Sequence, residues 1–301
     1  MKTGLFIHVT RSNFLPASII PFLAGAALAF QKGAAMNPFK MVLGLAGVSS
    51  AHLAGNLFND YFDHKSGADT GEGIKSPFFG GSGVIQNGLF SARDVLLLAV
   101  AMLAVSVFSA FGVFFITGDP VFLLIMALVG LLTVSYTAPP LKLAYNRMGE
   151  ADIFFLFGVF LVMGGFYLFA GSFTLDSLAV SLPVSFLITA VIICNEVPDI
   201  KTDTQADKNN LVSLAGKDKG YLLYGVALVL SYASVLWNIS RGTLPAYSAL
   251  LVVLYMPGWL AFGILRDKHD DQKSLVKASG LTVLLHMLLG LGIIAGILAK
   301  A

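Results

Sequence analysis

The chain has a single cysteine, Cys194, so an internal disulfide and a cysteine-built metal site are both excluded. Charge is nearly as scarce. Asp, Glu, Lys and Arg make up 12% of the 301 residues, where a soluble domain carries roughly 25%. Half the usual charge cannot cover a water-facing surface of this size, which excludes a soluble enzyme and an intrinsically disordered chain. The 19 basic residues barely outnumber the 17 acidic ones, for a net charge of +2. Without a cationic surplus there is no general attraction to polyanions, and a nucleic-acid binder is excluded too. Apolar residues take the vacated places: 56% of the chain is hydrophobic, and the mean hydropathy is +0.81.

The apolar residues come in long runs. Asp, Glu, Lys and Arg are missing from 14–31, 41–58, 95–116, 121–138, 153–171, 178–195, 221–238, 244–265 and 280–299. A bilayer core about 30 Å thick needs about 20 helical residues, so each run is long enough. The runs are continuous rather than alternating, which argues against a membrane barrel. The first is too long for the apolar part of a signal peptide and leads to no cleavage site with a polar mature segment. The expectation is an all-α, polytopic membrane protein: nine transmembrane helices around a central cavity, forming one membrane-embedded domain over 1–301.

Loop charge sets the expected orientation. Of the basic residues, only Lys32, Lys40, Arg241 and Lys300 fall on the side reached by the odd-numbered spans. The rest, from Lys2 and Arg11 through Lys75 and Lys208 to Lys277, fall on the side of the N-terminus. Positive-inside reasoning places the N-terminus in the cytoplasm and the C-terminus outside. All acidic residues except Asp119 and Asp176 share the cytoplasmic side. Acidic residues hardly influence topology, so this bias needs another cause. The two long connections, about 59–94 and 196–220, are cytoplasmic as well, and long loops in compact folds are usually functional or disordered. The block Phe79-Gly80-Gly81-Ser82-Gly83 in the first reads as a turn or hinge, because it lacks the Lys-Ser/Thr of a phosphate-binding Walker loop.

The acidic residues form two clusters. Asn56, Asp60 and Asp63 close the second span at i, i+4 and i+7, with Asp69 and Glu72 in the loop beyond. Asn195, Asp199 and Asp203 close the sixth at i, i+4 and i+8. On a helix each set shares one face. Two readings are open. The clusters are solvated helix ends, or they are sites for a hard cation. Carboxylates near a helix C-terminus oppose the helix dipole, and the Asn-x-x-x-Asp spacing occurs twice, both of which favour the cation. Carboxylate and amide oxygens suit Mg²⁺, which commonly binds one or two carboxylates and shares substrate phosphates. Two facing clusters would then clamp a diphosphate. Pro198 is expected to kink or end the sixth helix.

Between the clusters lies Ser135-Tyr136-Thr137-Ala138-Pro139-Pro140-Leu141-Lys142. Tyr136 and Thr137 offer hydroxyls and Lys142 a cation for a diphosphate, although Tyr and Lys are also normal interfacial anchors. Arg11 reads either as a diphosphate contact or as a topology charge. His52 and His286 sit inside apolar spans, where ionisable residues are functional candidates; His52, one turn before Asn56, is the better pocket residue. The segment Phe154–Phe160 reads as lipid or helix packing, with a tunnel lining as the alternative.

These motifs resemble those of the UbiA superfamily of intramembrane prenyltransferases over nearly the whole chain. The local strings are closest to the 1,4-dihydroxy-2-naphthoate polyprenyltransferase branch of menaquinone synthesis. They are Gly55-Asn56-Leu57-Phe58-Asn59-Asp60-Tyr61-Phe62-Asp63, Gly67-Ala68-Asp69, Gly80-Gly81-Ser82-Gly83-Val84-Ile85, Tyr136-Thr137-Ala138-Pro139-Pro140-Leu141, and Arg11 with Leu15-Pro16-Ala17-Ser18. The chain departs from the family where His64 stands at the last position of the first motif, with Asp63 beside it as the substitute. It departs again where Asp207-Lys208-Asn209-Asn210-Leu211-Val212 replaces a Gly-Lys-Arg-Thr-Leu string, which leaves the acceptor open.

The resemblance implies a Mg²⁺ cofactor held by Asn56, Asp60, Asp63, Asp199 and Asp203, and an allylic polyprenyl diphosphate as donor. It implies an aromatic acceptor, with Lys142 stabilising the leaving group and Asn195, Tyr136, Thr137, Arg11 and His52 contacting substrate. The lipid bilayer is the expected partner, and nucleic acid is not. A membrane transporter is the rival of a different class. It would place charge deep in mid-span on broken helices, whereas these carboxylates cluster at span ends.

Overall fold

The computed structural model describes residues 3–70, 76 and 78–301. Lys2, Glu72 and Lys75 lie outside the described residues. Within them the protein is all-helical, and an isolated bridge between Asn146 and Asn209 stands in place of any strand. The chain runs α1 Thr3–Thr10, α2 Pro16–Gln31, α3 Pro38–Ser66, α4 Ala92–Thr117, α5 Val121–Ser135, α6 Gly149–Ile153, a π-helical turn Phe154–Val159, α7 Phe160–Ala170, α8 Leu175–Gln205, α9 Leu211–Ala215, α10 Gly220–Ser240, a 3₁₀ segment Ala246–Tyr255, α11 Met256–Asp267 and α12 Gln272–Leu298. The helix from α6 through the π turn to α7 is a continuous apolar rod, as is the segment ending in α11.

Local chemistry sets the helix ends. Ser91 and Asp94 form a reciprocal capping box at the start of α4, and Thr174 with Ser177 does the same for α8. Asn37 caps α3 ahead of Pro38. Gly67 closes α3 at φ 86°, a left-handed position that suits glycine.

Among the described residues eight helices are long and apolar enough to cross a membrane. The expected fourth span, 121–138, is instead the 15-residue helix α5, about 22 Å long at 1.5 Å per residue. Tyr136, Thr137 and Ala138 belong to the turn ahead of the two prolines, so counting uncharged residues overstated the helix. α8 runs past Pro198 to Gln205 rather than ending there. Pro198 lacks an N–H, so it only leaves the Cys194 carbonyl without its helical partner.

The helices pack around small residues. α2 meets α7 so closely that a Cβ on Gly25 would lie 1.9 Å from the Val162 carbonyl oxygen, and one on Gly165 would lie 2.2 Å from that of Phe22. Such backbone approach drives helix association where lipid removes the hydrophobic incentive. The main core joins α2, α7, α8, α10 and α12 around Leu28, Phe166, Leu187, Tyr224 and Leu289. A smaller core under α3 and α4 holds Leu57, Phe58, Val84 and Val95. Phe39, Phe108, Phe115, Leu124 and Leu250 are exposed on the outside, as a lipid-facing surface requires.

The two ends of the bundle differ. At one, Asp176 bonds Lys32 and Arg241, and Lys300 donates to the Gly242 carbonyl. At the other, near the far end of the 31-residue α8, Asp203 meets Asp63 across Lys208, and Arg11 meets Asp60. Arg11, ahead of α2, and Lys300, after α12, therefore lie at opposite ends.

Candidate active site

A cavity of about 340 Å³ opens between the C-terminal parts of α3 and α8. Arg11, His52, Asn56, Asp63, Tyr136, Asn195, Asp199 and Asp203 all line it. Residues from four parts of the chain are thus gathered at one place. The two carboxylate rows face each other because α3 and α8 extend as helix beyond their apolar runs, to 29 and 31 residues. The i, i+4 spacing therefore holds to the last turn.

Each carboxylate is engaged. Arg11 Nη2 lies 3.3 Å from Asp60 Oδ1 and donates to the Asn56 carbonyl at 3.2 Å and Asn59 Oδ1 at 3.1 Å. The Ser82 N–H donates to Asp60 Oδ1 at 3.3 Å, and the Gly80 N–H donates to Asp199 Oδ2 at 3.2 Å. Asp60 itself is 2% exposed and joins the cavity through Arg11. Asp63 accepts from Tyr145 Oη at 2.8 Å and from Asn59 Nδ2 at 2.9 Å. Lys208 Nζ sits 3.1 Å from Asp63 Oδ2 and 3.7 Å from Asp203 Oδ1, so one ammonium bridges both rows. Asn210 Nδ2 donates to Asp203 Oδ2 at 3.1 Å.

The backbone holds this arrangement under strain. Arg11 and Asp207 are non-glycine residues with φ of 51° and 56°, a conformation of order 1–3 kcal/mol above the ordinary one that concentrates at functional sites. The turn at Asp207, closed by the Lys208 N–H on the Asp203 carbonyl at 2.8 Å, folds Lys208 back over the end of α8. Gly80, Gly81 and Gly83 all have positive φ. This turn aims the amides of Gly80 and Ser82 at the two carboxylate rows, so the block read as a hinge supplies donors.

Two expected positions differ. Lys142 is outside the cavity, with its ammonium 5.1 Å from the centre of the Tyr145 ring. Thr137 is 1% exposed, its hydroxyl unpartnered and away from the cavity. His64 does not line the cavity, whereas Asp63 does. His52 lines it, bonded to Ser18 Oγ at 2.5 Å and edge-on to Phe157 at 5.0 Å. Phe157 and Phe160 do line the cavity, so part of the Phe-rich segment lines the pocket rather than only packing against lipid.

The sequence reading gave no site role to Lys208, Asn59, Tyr145 or Glu196, and placed Asp69 only in the loop beyond the first cluster. Asp69 lines the cavity, where burial, with the charges of Asp63 and Asp60, pushes its carboxyl up to about 8. For Lys208 burial acts to lower the ammonium, but Asp63 and Asp203 outweigh it and hold it well above the usual lysine range. A carboxylate-rich pocket that raises an acid and clamps a lysine has excess negative potential, the condition a cation relieves.

The donor set fits a hard cation. Asp60 Oδ2 and Asn195 Oδ1 are buried without a hydrogen-bond partner. Among the described residues no three carboxylate, imidazole or thiol groups converge closely enough to enclose an ion unaided. Mg²⁺ keeps several waters and is commonly bound through one or two carboxylates together with substrate phosphates.

Comparison with known proteins gives the family and the fold. Residues 18–291 match the UbiA prenyltransferase family. A 1,4-dihydroxy-2-naphthoate octaprenyltransferase of Bacillus subtilis is 27% identical over 83% of this chain and 77% of its own. A UbiA prenyltransferase domain-containing protein 1 of Dictyostelium discoideum is 31% identical over 75% of this chain and 68% of its own. Among solved structures, a UbiA homologue from Archaeoglobus fulgidus bound to GPP and Mg²⁺ superposes with a TM-score of 0.66 at 17% identity, covering 96% of this chain and 99% of that one.

Proposed function

The chain belongs to the UbiA prenyltransferase family and is an intramembrane prenyltransferase, and from that premise we propose that it moves a polyprenyl group from an allylic diphosphate to a dihydroxynaphthoate-type ring in a Mg²⁺-dependent reaction. One observation carries this reading: carboxylates of α3 and α8 face each other in a cavity whose remaining walls are mainly apolar. The naphthoate relative of Bacillus subtilis supports the acceptor, and the homologue holding GPP and Mg²⁺ supports the donor and the ion.

Asp60, Asp63, Asp199 and Asp203 would hold the ion, with Asn56 and Asn195 beside them. When bound, it would neutralise charge developing on the diphosphate. Arg11 and Lys208 are the cations that oppose the leaving group from the protein side, the role first assigned to Lys142. The allylic C–O bond breaks with its electron pair leaving on diphosphate oxygen, a ring carbon forms the new bond to the prenyl carbon, and aromaticity returns as that carbon gives up its proton to the diphosphate or, at a carboxylated position, its carboxyl group as CO₂. Apolar walls built by Phe22, Val113, Phe157 and Leu168 exclude water that would otherwise capture the cation. The test is incubation of the purified protein with allylic prenyl diphosphates and quinone precursors, with Mg²⁺ and with EDTA. Prenylated naphthoate is expected only with Mg²⁺. Full activity in EDTA would overturn the metal assignment, and prenylation of other rings alone would overturn the acceptor.

The same reading places the protein in the cell membrane with its cavity toward the cytoplasm, N-terminus in and C-terminus out. Arg11 and Lys300 at opposite ends of the bundle require an odd number of crossings, so α5 is taken as the ninth, its short length met by local thinning of the bilayer. Cys194 is fully buried, so introduced thiols report alone. A membrane-impermeant maleimide applied from outside is expected to label Lys300→Cys and Arg241→Cys but not Lys219→Cys. Labelling of Lys219→Cys from outside would invert the orientation. Labelling of Lys219→Cys from outside with neither Arg241→Cys nor Lys300→Cys labelled would also follow if α5 did not cross, whereas labelling of Arg241→Cys without Lys300→Cys would mean that one of the two segments between them, Ala246–Asp267 and Gln272–Leu298, does not cross.

A further inference from the structure

One acid in the cavity wall takes no part in the diphosphate site. Asp152 lies on α6, just before the π-helical turn Phe154–Val159. It lines the cavity and is 6% exposed. Both of its carboxyl oxygens are buried, and among the described residues neither has a hydrogen-bond partner. Neither oxygen accepts from a backbone N–H, so Asp152 is not a helix cap.

The contrast with the other acids is direct. Asp63, Asp199 and Asp203 each accept from a named donor, and Asp63 and Asp203 face Lys208. Asp152 faces no cation in any ion pair among the described residues. A phosphate there would meet a carboxylate with nothing to neutralise either, so this part of the cavity does not suit the leaving group. A buried carboxylate without donors is costly to maintain. The group that relieves the cost brings an O–H and no negative charge of its own at that point. The surroundings are shaped for a ring: Ile153, Leu156, Phe157 and Phe160 line the cavity beside it. The π turn adds a residue to the helical circuit at this place, a distortion that recurs at functional sites.

Resting on the function proposed above, we propose that Asp152 is the acceptor-recognition residue: its carboxylate accepts a hydrogen bond from a phenolic hydroxyl of the aromatic substrate and fixes which ring carbon faces the prenyl group. A site built to bond a hydroxyl discriminates strongly against an analogue unable to donate, because the protein's polar group is then left unpaired.

The test is a cycle of two changes. The enzyme is varied as Asp152→Ala and Asp152→Asn, and the acceptor as 1,4-dihydroxy-2-naphthoate and its methyl ethers, each hydroxyl being blocked in turn. The unsubstituted chain is expected to prefer the free hydroxyl at one position by at least about tenfold in kcat/KM. In Asp152→Ala that preference is expected to shrink to about twofold, with the KM for the prenyl diphosphate unchanged. Asp152→Asn is expected to retain the fold and an intermediate preference, since its amide oxygen still accepts. A merely structural role would instead weaken all acceptors equally and raise the donor KM, and that result would overturn the proposal. So would an undiminished preference in both variants. Absence of product from the unsubstituted chain with every acceptor would overturn the proposed function itself, and this inference with it.

Discussion

Asp60→Ala and Asp199→Ala are each expected to lower prenyl transfer by about 10²–10³, the loss typical when one preorganised charge-stabilising group is removed. The fold should survive both changes. In Asp60→Ala the Ser82 amide loses its acceptor and Arg11 its carboxylate, but the guanidinium, with a side chain 21% exposed, keeps the Asn56 carbonyl and Asn59 Oδ1. In Asp199→Ala only the Gly80 amide loses its acceptor. The chemistry has no such substitute. Asp60 holds the one buried carboxylate oxygen of the first row that lacks any partner, and Asp199 is the middle member of the second. Single-turnover product formation at saturating Mg²⁺, beside thermal unfolding in detergent, separates the two effects. Near-normal turnover in both variants would mean that the rows are solvated helix ends, the alternative left open by the sequence.

Much of this site was legible because helical spacing carries over directly into space. Asn56 and Asp60, like Asn195 and Asp199, share a face wherever the chain is helical, and α3 and α8 are helical to their last turns. Apolar runs gave the spans for the same reason, since composition and length are what a bilayer selects. The reading failed where geometry depends on non-helical backbone. α5 was counted too long because uncharged residues in a turn look like uncharged residues in a span. The amides of Gly80 and Ser82 left no side-chain signature. Lys142 and Lys208 look alike in sequence, each just past an apolar run. Only the left-handed turn at Asp207 sends Lys208 into the cavity, while Lys142, itself at φ 42°, is turned onto the face of Tyr145.

That difference gives the sharpest mutational contrast. Lys208→Ala is expected to cost the enzyme about 10² or more in kcat and to destabilise it, whereas Lys142→Ala should stay within about threefold of the unsubstituted chain. The side chain of Lys208 is 16% exposed, between carboxylates that are 5% and 7% exposed at Asp63 and Asp203. Breaking such a buried pair typically costs about 3–5 kcal/mol, because the remaining charges are left uncompensated. Here two carboxylates lose the same ammonium, and the repulsion across the α3–α8 mouth rises at the place where a diphosphate must enter. Lys142 has only a cation–π contact with Tyr145, worth about 0.5–1 kcal/mol at an exposed position. Because the deficit is one of charge, added Mg²⁺ should return part of the lost thermal stability of Lys208→Ala, and Lys208→Arg should keep more activity than Lys208→Ala. The readouts are the unfolding midpoint with and without Mg²⁺ and kcat at saturating substrate. Equal, small losses in Lys208→Ala and Lys142→Ala would remove Lys208 from the site. A large loss confined to Lys142→Ala would restore the assignment made from sequence.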